Sequence, residues 1–191
     1  MASQRRLGPR NSDTSNAILD ATEEVMRLEG YAAVTSRRIA EAAGIRQGLV
    51  YYYFQTMDDL LLATFKRRTA DSIEKLDAKL QLERPVHAVW DDLAHRVDAA
   101  LAFEFVALAN HHSGIREEVN RYVSHARQLT RDAIAREAEH HGVDLAPFTP
   151  EALAFLMYSS TLMVACESAG GLDVAHAEVL TLFEKVLEKL A

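Results

Sequence analysis

Apolar positions along this chain recur every three or four residues, the spacing of a helix buried on one face, and no stretch alternates as a half-buried strand would. Ile18, Ala21, Val25 and Leu28 predict a helix over 13–29, capped by Ser12 or Asp13 and ended by Gly30. Thr35 can cap a second helix with Ile39, Ala40 and Ala43 on its buried face, and Gly44 supplies a sharp turn. A very short third helix comes next, anchored by Ile45, Val50 and Phe54, which leaves Arg46, Gln47, Leu49, Tyr51 and Tyr52 outside. Helices this short are marginal alone in water, so the three must pack on one another. A glycine turn between two short helices, the second presenting Arg, Gln and Tyr, is the pattern of a helix-turn-helix that enters a major groove.

Thr56-Met-Asp-Asp59 is a variant capping box that opens a fourth helix, expected over 57–82. Arg84-Pro85 breaks the chain, and 86–110 predicts two helices or one bent one. After Ser113-Gly114, residues 115–141 form the cleanest amphipathic pattern in the sequence. Thr149-Pro150-Glu151 restarts a helix that is apolar nearly all round to Ala169 and must be covered on every side. Gly170-Gly171 stops it, and Asp173 is expected to cap a last helix over 174–190. The expected fold class is all-α: an N-terminal three-helix domain followed by a larger helical domain, divided as 1–56 and 57–191 with 57–82 as the linker helix.

Charge changes this picture only when it is divided. The net charge of −7 argues against a nucleic-acid partner, but residues 1–70 hold 10 Lys and Arg against 8 Asp and Glu, or +2, and the remaining 11 against 20 give −9. The acidity belongs to the second part, and screening limits its reach to about 10 Å in moderate salt. Arg5, Arg6 and Arg10 form a basic N-terminal arm suited to phosphates or a minor groove. The single cysteine, Cys166, excludes an internal disulfide and fits a cytoplasmic setting. No run reads as long and apolar enough to span a bilayer, since Glu151 and Glu167 bracket the most apolar stretch.

Candidate chemistry is sparse. His111-His112 and His140-His141 lack the i,i+4 spacing of a zinc helix, so no metal and no cofactor is expected. Glu104, between Phe103 and Phe105, and Glu167, beside Cys166, belong to no set of nucleophile, base and orienter, and no enzyme is expected.

From Ile18 to Leu62 the chain resembles the DNA-binding domain of the TetR family of bacterial transcriptional regulators, on Thr35, Ile39-Ala40, Ala43-Gly44, Gly48, Tyr51 and Phe54 in order. The remainder is similar in layout only. The resemblance implies a cytoplasmic homodimer formed through the last two helices, a double-stranded DNA operator as partner, a small-molecule effector and no membrane. It places Thr35, Ser36, Arg37 and Tyr51 against phosphates, Tyr52 as the neighbour of that tyrosine, and Arg46 and Gln47 against base edges; Leu49 joins this DNA-binding set from its outward position on the third helix. Independently, Arg suits guanine, Gln suits adenine, and hydroxyls suit phosphate oxygens. It also implies an apolar ligand pocket in the second domain, with Trp90, Phe103, Phe105, Tyr122, Met157, Tyr158 and Met163 as walls and Glu104, Asn110, His111, Ser160 and Thr161 as polar contacts. Three positions depart from the family pattern: Arg46 replaces a capping Ser or Thr, Tyr53 stands where His is frequent, and Met57 replaces a backbone-contacting Lys. The last implies a shallower salt dependence than a lysine-bearing relative shows. The expected function is a repressor released from a near-palindromic operator by a largely apolar ligand; the alternative is an activator or partner-regulated protein without that switch.

Overall fold

The computed structural model describes residues 12–190, all-helical with no strand among them. The basic arm with Arg5, Arg6 and Arg10 lies outside the described residues. The helices are α1 (Asp13–Glu29), α2 (Ser36–Ala42), α3 (Gln47–Tyr53), α4 (Met57–Lys79), α5 (Pro85–Arg96), α6 (Ala99–Ala109), α7 (Ser113–His141), α8 (Pro150–Ala169) and α9 (His176–Leu187). Single 3-10 turns at Tyr31–Ala33 and Glu188–Leu190 succeed α1 and α9.

Caps account for most of the boundaries. Ser12 accepts from the Ser15 N–H, Thr35 from Arg38 and Thr149 from Ala152, each supplying a partner the first turn lacks. The Thr56–Asp59 box closes reciprocally: the Asp59 N–H donates to the Thr56 hydroxyl at 3.0 Å and the Thr56 N–H to the Asp59 carboxylate at 3.2 Å. The region after Pro85 resolves into two helices, α5 and α6.

Three expectations need correction. Leu28 is 70% exposed, and Met26 is buried in its place. In a helix of 3.6 residues per turn, positions 26 and 28 lie about 80° to either side of Ile18, and the fold covers the Met26 side. Asp173 does not cap α9 with its side chain; α9 begins after Ala175, whose φ is +63°, and only the Asp173 carbonyl accepts from His176. Finally, α8 is long and apolar enough to cross a bilayer, contrary to the expectation from sequence: its acids lie at the ends, and only 22% of the stretch is buried.

The chain forms two compact units. The first comprises residues up to 70 together with 100–119, and the second 71–99 with 120–191. In the first, Ile18, Val25, Ile39, Val50, Phe54 and Leu60 form one apolar cluster, and Met26, Phe65, Leu101, Phe105 and Leu108 another. In the second, Trp90, Ala126, Ile134, Leu153, Met157, Phe183 and Leu187 form the centre, with Trp90 stacked on Phe183 at 4.6 Å.

Candidate nucleic-acid interface

The third helix carries the candidate interface because its two faces differ sharply. Val50, Tyr53 and Phe54 are buried, and Ile45 packs beside them half-buried. These side chains fix α3 on α1 and α2, so the opposite face is held rigidly. There Leu49, Tyr51 and Tyr52 are 37%, 38% and 44% exposed, and Arg46 and Gln47 are exposed at the helix start. Tyr52 meets the ring of Tyr53 edge-on at 5.0 Å, which sets its direction.

Arg46 occupies the N-cap of α3 with no side-chain capping bond, leaving its guanidinium uncommitted to the helix end. Gln47 is not loose: its side-chain N–H donates to the Ser36 hydroxyl at 2.8 Å. Ser36 is itself buried, so its hydroxyl serves Gln47 and not the open surface. Thr35 and Arg37 remain exposed at the start of α2. Arg38 turns away, forking onto Glu29 at 2.6–3.1 Å, and its hydrogen bonds hold the Glu29 carboxyl below its ordinary pKa. Met57, where a lysine would meet phosphate, packs against the α1–α3 core instead.

Gly48 belongs to this face as well, although sequence reasoning assigns it no contact. A Cβ added there would meet nothing within 4 Å. Glycine inside a helix costs roughly 0.5–1 kcal/mol relative to alanine, and the chain's own packing gives no reason for it. Its flat surface lies between Gln47 and Leu49, where another molecule's backbone can approach closely. The signal available in the sequence is its place inside a seven-residue helix.

The candidate ligand residues are divided. Phe103, Glu104, Phe105, Asn110 and His111 lie in the first unit, and Trp90, Tyr122, Met157, Tyr158, Ser160, Thr161 and Met163 in the second. Phe105 is buried against Phe65 at 4.5 Å, and the Glu104 carboxylate accepts from the Tyr31 N–H. The Tyr158 hydroxyl lies 3.3 Å from that of Thr130, and burial pushes its pKa up to about 12. The Ser160 and Thr161 hydroxyls donate back to α8 carbonyls. A cleft of about 260 Å³ in the first unit is lined by Asp58, Asp59, Leu62, His111, His112 and Ile115, among others, and a gap of about 10 Å³ in the second includes Val86, Ile134 and Met157. Neither gathers the candidates. His140 and His141 meet edge-on, and no group of three metal-ligating side chains forms among the described residues.

The comparisons with known proteins agree with this geometry. Residues 18–64, which span α1 to the first turns of α4, match the model of the bacterial regulatory proteins of the tetR family. This segment, about a quarter of the chain, is thus similar to the DNA-binding domain of the TetR family. The chain is 33% identical over 64 residues to the fatty acid metabolism regulator protein of Bacillus subtilis, covering 34% of this chain and 33% of that protein. It is 27% identical over 136 residues to the HTH-type transcriptional regulator CymR of Pseudomonas putida, 68% of this chain and 67% of that one. The match thus spans about a third of the Bacillus protein's length. Solved structures share the fold over more than nine-tenths of the chain. Reduced NemR of E. coli superposes with a TM-score of 0.77 at 15% identity, over 91% of this chain and 97% of that one. The fatty acid degradation regulator FadR of Bacillus halodurans gives 0.67 at 17%, over 95% and 96%. The TetR-family fold, an N-terminal helix-turn-helix followed by a helical domain, is therefore established for this protein.

Proposed function

We propose that this protein is a cytoplasmic, homodimeric transcription regulator that represses from a near-palindromic operator and is released by a small, largely apolar ligand. The observation that carries the reading is the two-faced α3, whose Arg46, Gln47, Gly48, Tyr51 and Tyr52 form an open surface on a fully anchored helix. Arg46 and Gln47 read base edges, Gly48 admits the backbone, and Thr35, Arg37, Tyr51 and Tyr52 hold phosphates. Ser36 contributes by setting the Gln47 side chain.

By role the chain divides at 56/57, into a DNA-binding segment and a ligand-binding and dimerisation segment with α4 as the lever between them. Two subunits joined through α8 and α9 place their α3 helices in successive major grooves, about 34–36 Å apart or somewhat more. Phe155, Met163 and Leu182 are the exposed apolar residues this pairing would cover. Two similar proteins are named for fatty acid metabolism and degradation, which favours an apolar effector here. The ligand favours a dimer geometry that fits DNA poorly, and by linkage DNA weakens the ligand by the same factor.

The test is selection of bound fragments from random DNA, followed by Arg46→Ala and Tyr51→Phe. Losing a bidentate base contact costs about 1–3 kcal/mol, so Arg46→Ala is expected to weaken the selected site roughly 10- to 100-fold and relax preference at one base pair. Tyr51→Phe weakens all sequences alike. Retention of DNA by the double variant at wild-type strength would sink the interface assignment.

A further inference from the structure

The junction between α1 and α2 is held by a side chain far along the sequence. At Gly30 the backbone turns to a φ of +77°, which ends α1. The next N–H, that of Tyr31, donates to a Glu104 carboxylate oxygen at 2.8 Å. The other Glu104 oxygen lies so near that a Cβ on Gly30 would stand 3.4 Å from it. One carboxylate therefore spans the break between the two helices.

The start of α2 depends on this junction. Tyr31 opens the 3-10 turn, with its carbonyl accepting from Val34 at 3.0 Å, and the turn leads directly to Thr35, the cap of α2. One residue before the break, Glu29 grips Arg38 of α2. The entry to the helix-turn-helix is thus fixed by two carboxylates, Glu29 from within it and Glu104 from α6. Glu104 is itself firmly placed: its neighbour Phe105 is 1% exposed, and Leu101 and Leu108 are fully buried. The chain enters α6 directly after the segment 71–99, which belongs to the other compact unit.

We infer that Glu104 is a positioning residue for DNA recognition, through which α6 sets the α1–α2 junction and so the placement of α2 and α3. This assigns to it neither ligand contact nor acid–base chemistry. The inference rests on the DNA-binding reading and deepens it, because it names the bond a regulatory movement of α6 would break. Such a bond weakens steeply with misalignment, so a displacement of about an ångström is enough to release the Tyr31 N–H.

The experiment compares full-length wild type, Glu104→Ala and Glu104→Gln by two readouts. Amide exchange, without DNA, is expected to quicken about ten-fold in Glu104→Ala over residues 31–38, as loss of a charge-assisted hydrogen bond implies, with Ile134 and Leu153 unchanged. Glu104→Gln keeps a carbonyl acceptor and is expected to stay near wild type in both readouts. Affinity for the site selected by wild type is expected to fall about ten-fold in Glu104→Ala. Exchange that quickens throughout the chain, or nowhere, overturns the tie. Unchanged operator affinity in Glu104→Ala overturns the positioning role. Failure of wild type itself to select DNA sinks the regulator reading and the DNA half of this one, and the exchange measurement separates that case.

Discussion

The two compact units satisfy their polar groups to different degrees. In the first, α1, α2 and α4 begin with made caps, and ions bind the pieces together: Arg38 to Glu29, and Arg67 to Asp20 and Glu23 at 2.7 and 3.0 Å. Among the described residues its one buried orphan polar atom is the Ser15 hydroxyl. In the second unit, three buried side-chain atoms among the described residues lack a hydrogen-bond partner, on His87, Arg127 and Glu137. The exposed surfaces differ in kind as well. On the first unit α3 presents Tyr51 and Tyr52, whose hydroxyls suit a wet, charged partner, with Leu49 beside them; on the second, α8, α9 and the turn between them present Phe155, Met163, Leu172, Val174 and Leu182, which suit a dry one. A reading surface must be held still. Unpartnered buried polar groups are costly, and the second unit carries more of that cost than the first among the described residues.

The largest effect expected from this contrast lies in the anchoring of α3. Phe54 is 2% exposed within the first unit's core, while Tyr52, two residues earlier, is 44% exposed. Phe54→Ala is expected to cost about 3–5 kcal/mol in urea unfolding, and Tyr52→Ala little. Equal losses would mean that α3 is not two-faced.

That two-facedness is legible in the sequence because short amphipathic helices leave few choices. Val50 and Phe54 have to be anchors, and Tyr51 and Tyr52 between them face out. Thr35 and the Thr56–Asp59 box are legible for a similar reason, since capping is local chemistry. Leu28 misleads because positions 26 and 28 flank the stripe equally, and only the packing of α6 against Met26 decides between them. Glu104 misleads for a deeper reason. Its partner is a backbone N–H 73 residues away, and a side chain's bond to a distant main chain leaves no periodic trace. The ligand residues are legible by type alone, and type does not say that Phe105 packs on Phe65 while Trp90 packs on Phe183.

The next effect sharpens the dry surface. Met163 on α8 and Leu182 on α9 are 49% and 61% exposed. Burying one such side chain contributes roughly 1.5–3 kcal/mol, so Leu182→Asp or Met163→Asp is expected to weaken self-association by about 10- to 100-fold or more. Sedimentation near the wild-type dissociation constant would show monomers with undiminished helicity. Unaltered sedimentation would mean that a second copy does not cover this face.

The smallest effect concerns the orphan groups of the second unit. One Glu137 oxygen accepts from the Val86 N–H at 3.3 Å, and the other is buried without a partner. Burial raises the Glu137 pKa, only partly offset by the Val86 N–H and by His141, Arg84 and Arg136. The folded protein therefore binds this proton more tightly than the unfolded chain does. Stability from this group is fully present below the unfolded pKa and is lost as pH rises through the folded one, so the charged carboxylate is a net cost at neutral pH. Glu137→Gln keeps an acceptor for Val86 without the charge. It is expected to raise the Tm at pH 7, with the gain shrinking as pH falls toward about 4, where the wild-type carboxyl is itself protonated. Melting both proteins across that range checks the sign. A Glu137→Gln variant less stable at pH 7 would show that the nearby cations outweigh the burial, and that the second unit is no less satisfied at this point than the first.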